Sequence, residues 1–371
     1  MRTEEEMDEY DSDGAISGKS LTAIIVAAVL VVAVLAAVLY FSDSAGLFGD
    51  SDGVAKYSYA GYAESRYAPL EDHLAIVSMK GVQVIDPSGN ASFYESCDMQ
   101  YPAVHTAGAY GAAYDIGGMT VRVFDRNGIR YTENNGESVV SASVNGRGYL
   151  AVCSEREGYY GHVTVYNEKG DAKFEWFSGE SRVLSAVLSP DSEMIAVLGV
   201  TEAGSRISFF SMDSEEEKGR YYFHGAVFFD LCFDNDREVT AVSSEKTVTL
   251  HTDGTEKSSF SFDGKALKCY RFGEDGTHVF ALSDYQTGGE CKLVTVKDGE
   301  GKTVAENIPE TFRVAIRKNR IAVMTGSDVR VYTASGKEKA VYDSVSGASD
   351  IVFRADGAVI AAKTFSAEIL K

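Results

Sequence analysis

The sequence predicts an all-β fold: a β-propeller of about eight four-stranded blades, closed by an N-terminal strand and preceded by one transmembrane helix. Three observations predict it. Residues 21–41 are apolar almost throughout, a Val-x-Val motif leading into a glycine turn recurs along the rest of the chain, and the hairpins around it repeat every 36–45 residues.

The N-terminal elements come first. Residues 1–20 hold seven acids and two bases, a net of −5, and are expected to form an acidic cytoplasmic tail. The stretch 14–20 (GAISGKS) ends like a phosphate-binding loop. That motif needs four residues between its glycines and a strand before it, whereas only three separate Gly14 from Gly18. The following run, LTAIIVAAVLVVAVLAAVLYF, has Thr22 as its sole polar side chain. Rising ~1.5 Å per residue it reaches about 31 Å, the thickness of a bilayer's hydrocarbon core. A cleaved signal peptide has an apolar region of only ~7–15 residues, so 21–42 is read as an uncleaved membrane span. Lys19 flanks it on one side and Asp43, Asp50 and Asp52 follow on the other. That arrangement predicts a single-pass protein of the cell membrane, its N-terminus cytoplasmic and its C-terminal domain extracytoplasmic. Residues 43–53, rich in Gly, Ser and Asp, read as a flexible linker.

From residue 54 to 371 the repeat takes over. VQVIDPSG (82–89), VRVFDRNG (121–128), VTVYNEKG (163–170) and VRVYTASG (329–336) share one pattern. Alternating Val and polar residues mark a strand with one face buried, and the following Asx- or Thr-led glycine turn brings the chain back. A second hairpin precedes each unit. Its second strand opens at Leu74, Tyr110, Tyr149, Met194, Val239, Val279, Ile321 and Val359. Eight units of about 40 residues with four strands each fit propeller blades; seven blades with one irregular repeat is the competing count. The last unit has room for three strands only. The orphan segment VAKYSY (54–59) supplies the fourth, which would close the ring and remove an open sheet edge.

Ser189-Pro190-Asp191-Ser192, placed before an apolar strand, is similar to the turn of WD40-like and TolB-like propellers, and the Val-x-Val-aromatic units resemble quinoprotein-type repeats. With the acidic tail and single span, the chain resembles a family of membrane proteins of Gram-positive anaerobes whose domain has no known function. The resemblance implies a fold and no functional residues. The Trp-Asp dipeptide of WD40 blades does not occur, and Trp176 is the one tryptophan, so no quinoprotein cofactor, and no other cofactor, is expected.

The formal charge of −20 repels phosphate backbones, and no basic stripe offsets it; nucleic acid is not an expected partner. The five cysteines lack CxxC spacing and the six histidines lack metal-ligand spacing, so neither a zinc site nor a disulfide framework is expected. Cys153 and Cys232 lie in apolar runs and read as small core hydrophobes. Asp234 and Asp236 lack the calcium-loop pattern and read as solvated turns. No Gly-x-Ser-x-Gly elbow is present.

Three connections between second and third strands, 154–162, 200–205 and 283–290, are expected to be longer than the rest and to emerge on one face. They supply the binding candidates Tyr159, Tyr160, His162, Glu202 and Tyr285. Tyrosine offers a flat face and a polar tip, suited to protein or glycan contact. The expected function is a non-enzymatic binding or assembly module of the cell envelope, with a protein or glycan partner. The alternative is an envelope hydrolase or lyase, with carboxylates and histidine gathered on the innermost strands.

Overall fold

The computed structural model describes residues 55–370 apart from 63 and 344. The expected tail (1–20), span (21–42) and linker (43–53) lie outside the described residues. Among those described, no helix is long and apolar enough to cross a membrane.

Period-2 alternation dictates the strands. In the segment Thr120–Asp125, Val121 and Val123 are fully buried while Arg122 between them is not. Such strands assemble into eight antiparallel four-stranded sheets. Seven of them run outward in chain order from an inner strand to an outer one: blade 1 (66–96), blade 2 (102–134), blade 3 (139–178), blade 4 (182–224), blade 5 (228–261), blade 6 (266–308) and blade 7 (311–343). Blade 8 takes three strands from 348–370 and its outer strand, Ala55–Ser58, from the start of the propeller. Eight blades are present rather than seven. Ala55 pairs with Ile369 and Ser58 with Ser366, as closure by 54–59 requires.

Burial follows position in the blade. Second and third strands are covered on both faces by neighbouring blades, so His73–Ser78 and His278–Ser283 are buried at every residue. Outer strands such as Glu338–Asp343 alternate exposed with half-buried. Between successive blades the facing apolar side chains interlock. One such layer joins Tyr57, Val352 and Ile369 of blade 8 to Tyr67, Leu74 and Ile76 of blade 1.

Two devices recur from blade to blade. The inner strands of blades 3 to 8 each shift register by one residue near their start, at Val140, Leu184, Phe229, Lys268, Phe312 and Ser349. Such bulges sharpen the twist and turn side chains toward the channel. At the end of most second strands a hydroxyl closes the next turn. The hydroxyl oxygens of Ser78, Thr201, Ser243, Ser283 and Thr325 each accept a backbone N–H two residues ahead.

In the turn 189–192, Ser192 takes a left-handed φ of 63° where glycine is the easier residue. Asp191 N–H is held by Asp236 Oδ1 of the next blade at 2.9 Å. The expected long loop at 200–205 is corrected. Strand pairing continues to Thr201 and Gly204, leaving a two-residue turn of Glu202 and Ala203. β-Branched Val200 and Thr201 extend the strand, and Gly204 supplies the φ of 140° the turn needs.

Candidate interaction face

Antiparallel strands put the blade-to-blade connections and the second-to-third turns at one end of every sheet. The first-to-second and third-to-fourth turns lie at the other end. The two faces differ in chemistry. On the connection face Tyr62, Tyr101 and Val227 are exposed between blades, and Met79, Ile116, Met119 and Phe365 in second-to-third turns. Phe229 and Phe312, each 44 % exposed, sit on inner-strand bulges at the channel mouth. Tyr94, Tyr222 and Val341 lie two residues from the ends of outer strands that run into this same face. No exposed large apolar side chain among the described residues lies in a turn of the opposite face. That face is instead made of polar turns such as 86–90 (DPSGN) and 167–171 (NEKGD). Single exposed apolar residues are ordinary, but their concentration on one face marks a surface built for contact.

The candidates fall on this face but not together. Tyr159 and Tyr160 are 51 % and 59 % exposed. Tyr160 N–H donates to Ser178 O at 2.9 Å, and Tyr160 O accepts Val183 N–H at 3.3 Å. Val183 pairs with Gly199, and Arg182 with Val200, so the start of blade 4's inner strand bridges the 154–162 loop to the Glu202 turn. Tyr285, 63 % exposed, belongs to blade 6, away from that pair. Its loop is pinned where Gly288 N–H donates to Glu310 Oε1 at 3.0 Å.

His162 is buried at 6 % exposure and supports the loop from beneath. Its Nδ1 lies 3.0 Å from Glu137 Oε2 and its Nε2 2.9 Å from Glu175 Oε1. A neutral ring can donate to one of these carboxylates and an imidazolium to both. Phe177 stacks on the imidazole at 4.4 Å, and Tyr159 lies 4.9 Å from Phe177. Burial works against ionisation of Glu137, but bonds from Arg156, His162 and Ser154 hold its carboxyl below the usual range. An open cleft of about 770 Å³ beside the cluster is lined by Glu137, Arg156, Lys173, Glu175 and Asp213.

The fold gathers one donor set that spacing could not reveal. Cys232 Sγ, a carboxylate oxygen of Asp234 and a ring nitrogen of His278 lie within 4.8 Å of one another. Asp234 is therefore not a solvated turn residue, its side chain being 10 % exposed. His278 Nδ1 accepts Gly273 N–H at 3.3 Å, while its buried Nε2 lies 3.0 Å from Asp234 Oδ1 yet makes no hydrogen bond among the described residues. Thr240 Oγ1 donates to the other oxygen at 2.6 Å and the Cys232 thiol to Oδ1 at 3.6 Å. Burial, then Asp234 and Asp230, push that thiol well above its ordinary pKa. A cation bound by these donors would have to displace the proton of the Cys232 thiol, whose loss burial opposes. All five cysteines are unpaired.

Among solved structures the chain is similar to the C-terminal WD40 domain of Sif2, with a TM-score of 0.61 at 14 % identity, covering 85 % of this chain and 96 % of that one. It is similar to BamB from Moraxella catarrhalis, with a TM-score of 0.56 at 13 % identity, over 85 % of this chain and 98 % of the other. The β-propeller domain of Cps50 (Swd1) from Myceliophteria thermophila matches with a TM-score of 0.54 at 10 % identity, over 76 % and 99 %. At these identities the likeness establishes the fold alone. No curated protein matches the sequence. One family model matches residues 50–364, nearly the whole propeller, and the chain therefore belongs to that family of unknown function, DUF5711.

Proposed function

We propose that this chain is a protein-binding module: a rigid propeller that offers its aromatic connection face to a protein of the cell envelope. The apolar segment 21–42 would hold it in the cell membrane, with the propeller outside the cytoplasm. The observation carrying the reading is the one-sided distribution of exposed apolar side chains, from Tyr159 and Tyr160 on the rim to Phe229 and Phe312 at the mouth. Aromatic residues supply large contact areas at low entropic cost and are enriched in protein interfaces.

The test is site-specific photocrosslinking of the full-length protein in cells. A photoreactive residue at Tyr160 or Phe312 should give a discrete protein adduct, while one at Asn127 on the polar face should not. Absence of any protein adduct from the connection face, or equal adducts from both faces, rejects the proposal.

A further inference from the structure

Cys232, Asp234 and His278 meet beneath the polar face, where the inner strand of blade 5 packs against blade 6. Cys232 and Asp234 stand two apart on that inner strand, and His278 opens the second strand of blade 6. The blade 5 strand shifts register a second time, between Phe233 and Asn235, so Asp234 is itself a bulged residue. Among the described residues no inner strand of the other seven blades has such a second bulge. A bulge re-aims a side chain, and bulges recur beside working sites for that reason.

The distances suit a metal centre. Ligands at about 2.0–2.3 Å from a tetrahedral zinc ion stand about 3.3–3.6 Å from one another. Here Asp234 Oδ1 lies 3.6 Å from Cys232 Sγ and 3.0 Å from His278 Nε2, and the three ligand atoms all fall within 4.8 Å of one another. His278 is 2 % exposed, and its Nε2 has no hydrogen-bond partner among the described residues. A buried ring nitrogen left in that state is costly unless something binds it. The carboxylate is already braced: Thr240 Oγ1 holds its other oxygen at 2.6 Å and itself lies 2.9 Å from Thr249 Oγ1. Cys232 is only half-buried, which leaves a side open for entry and for a water as fourth ligand.

Charge selects the ion. A thiolate, a carboxylate and a neutral imidazole together neutralise one dication, which suits a buried site. Sulfur and imidazole donors favour zinc-class ions over magnesium or calcium, which take oxygen ligands. Binding releases the thiol proton to solvent, and the ion supplies the charge stabilisation that burial denies the thiolate. The ring proton then sits on Nδ1. The Gly273 contact there, at 3.3 Å longer than the usual span of about 2.7–3.2 Å, gives way to it.

We propose that Cys232 Sγ, Asp234 Oδ1 and His278 Nε2 bind one divalent transition-metal ion of the zinc class, tying blade 5 to blade 6. The site is independent of the aromatic face and of the function proposed above.

The experiment uses the untagged full-length protein in detergent, stripped with a chelator, dialysed and titrated with cobalt(II) as an optical stand-in for zinc. Cobalt is expected to saturate at one ion per chain with a thiolate-to-cobalt charge-transfer absorption, which zinc then abolishes by displacement. Zinc should raise the melting temperature of the stripped protein, whereas magnesium and calcium at the same concentration should not. Cys232→Ser should lose the charge-transfer band, and His278→Gln should bind cobalt at least about tenfold more weakly. Melts of both variants without metal show whether each folds, and the titration of the parent decides by itself if one does not. Absence of the band in the parent, or a band of equal strength in Cys232→Ser, overturns the site. Equal rises in melting temperature with zinc and magnesium overturn it as well.

Discussion

Arg354 Nη1 donates to the Tyr57 hydroxyl at 2.8 Å, across 297 residues of chain. The same hydroxyl donates to Pro87 O at 2.5 Å, and Arg354 also reaches that carbonyl at 3.3 Å. The outer strand of blade 8, its inner hairpin and the outer turn of blade 1 thus meet at one point. Strand pairing closes the ring, and this contact locks the closing strand to the inner hairpin of its own blade and to blade 1. Further along, Tyr59 OH lies 2.6 Å from Lys363 O and Tyr67 OH 2.8 Å from the same oxygen.

Tyr57→Phe removes the hydroxyl and leaves Arg354, only 6 % exposed, short of an acceptor. The expected cost is about 1–3 kcal/mol, read as a lower urea midpoint at unchanged slope. An unchanged midpoint would show that the latch contributes nothing beyond backbone pairing.

Gly89 sits in the blade 1 turn at a φ of 91°, and a Cβ there would fall 2.3 Å from the Tyr57 ring. Gly89→Ala is therefore expected to destabilise through backbone strain and collision together, by about 2 kcal/mol or more. In a Tyr57→Ala background the collision disappears while the strain remains, so the penalty should shrink but persist. Strict additivity in this double-mutant cycle would count against the contact.

Asp328 closes the second-to-third turn of blade 7. Its oxygens accept from Arg330 at 3.1 and 3.0 Å and from the Thr325 hydroxyl at 2.9 Å. The Arg330 bonds hold its carboxyl below the ordinary 3.8, with burial opposing. A depressed folded value means stabilisation that is present above the unfolded value and lost as pH falls through the folded one. Asp328→Asn should cost about 1–2 kcal/mol at neutral pH, and the difference from the parent should fade below about pH 4. A difference independent of pH would assign the loss to packing.

Tyr160→Ala and Phe312→Ala remove exposed side chains, so the melting temperature should stay nearly unchanged. Affinity for the crosslinked partner should fall at least about tenfold. His162→Ala should do the opposite in the first instance. It strips two carboxylates of a shared donor and Phe177 of its stacking partner, at a cost of about 1–3 kcal/mol in the melt. If Tyr160→Ala lowered the melting temperature as much as His162→Ala, the tyrosine would be part of the scaffold rather than of the contact surface.

Much of the architecture was legible because its causes are local. Val-x-Val alternation, glycine turns and a period near 40 residues specify strands, hairpins and their number, and the missing fourth strand of the last unit points to 54–59, within which Ala55–Ser58 forms the strand. The exposed tyrosines at 159, 160 and 285 were also legible, since loop residues between strands meet solvent whatever the blade order. The 200–205 loop is shorter than the sequence predicts, because Val200 and Thr201 continue the strand into the turn. His162 looked like its loop neighbours, yet Glu137, from the connection that enters blade 3, covers one side of it.

Spacing along the chain was thus sufficient for blade count, closure and the identity of the loop face, each of which depends on residues within a few positions or on a repeat. Convergence of distant residues needed the folded ring. Cys232 meets His278, and Tyr57 meets Arg354, because blade packing brings their strands together. Those distances depend on how eight twisted sheets close around one axis, a property that no window of the sequence contains.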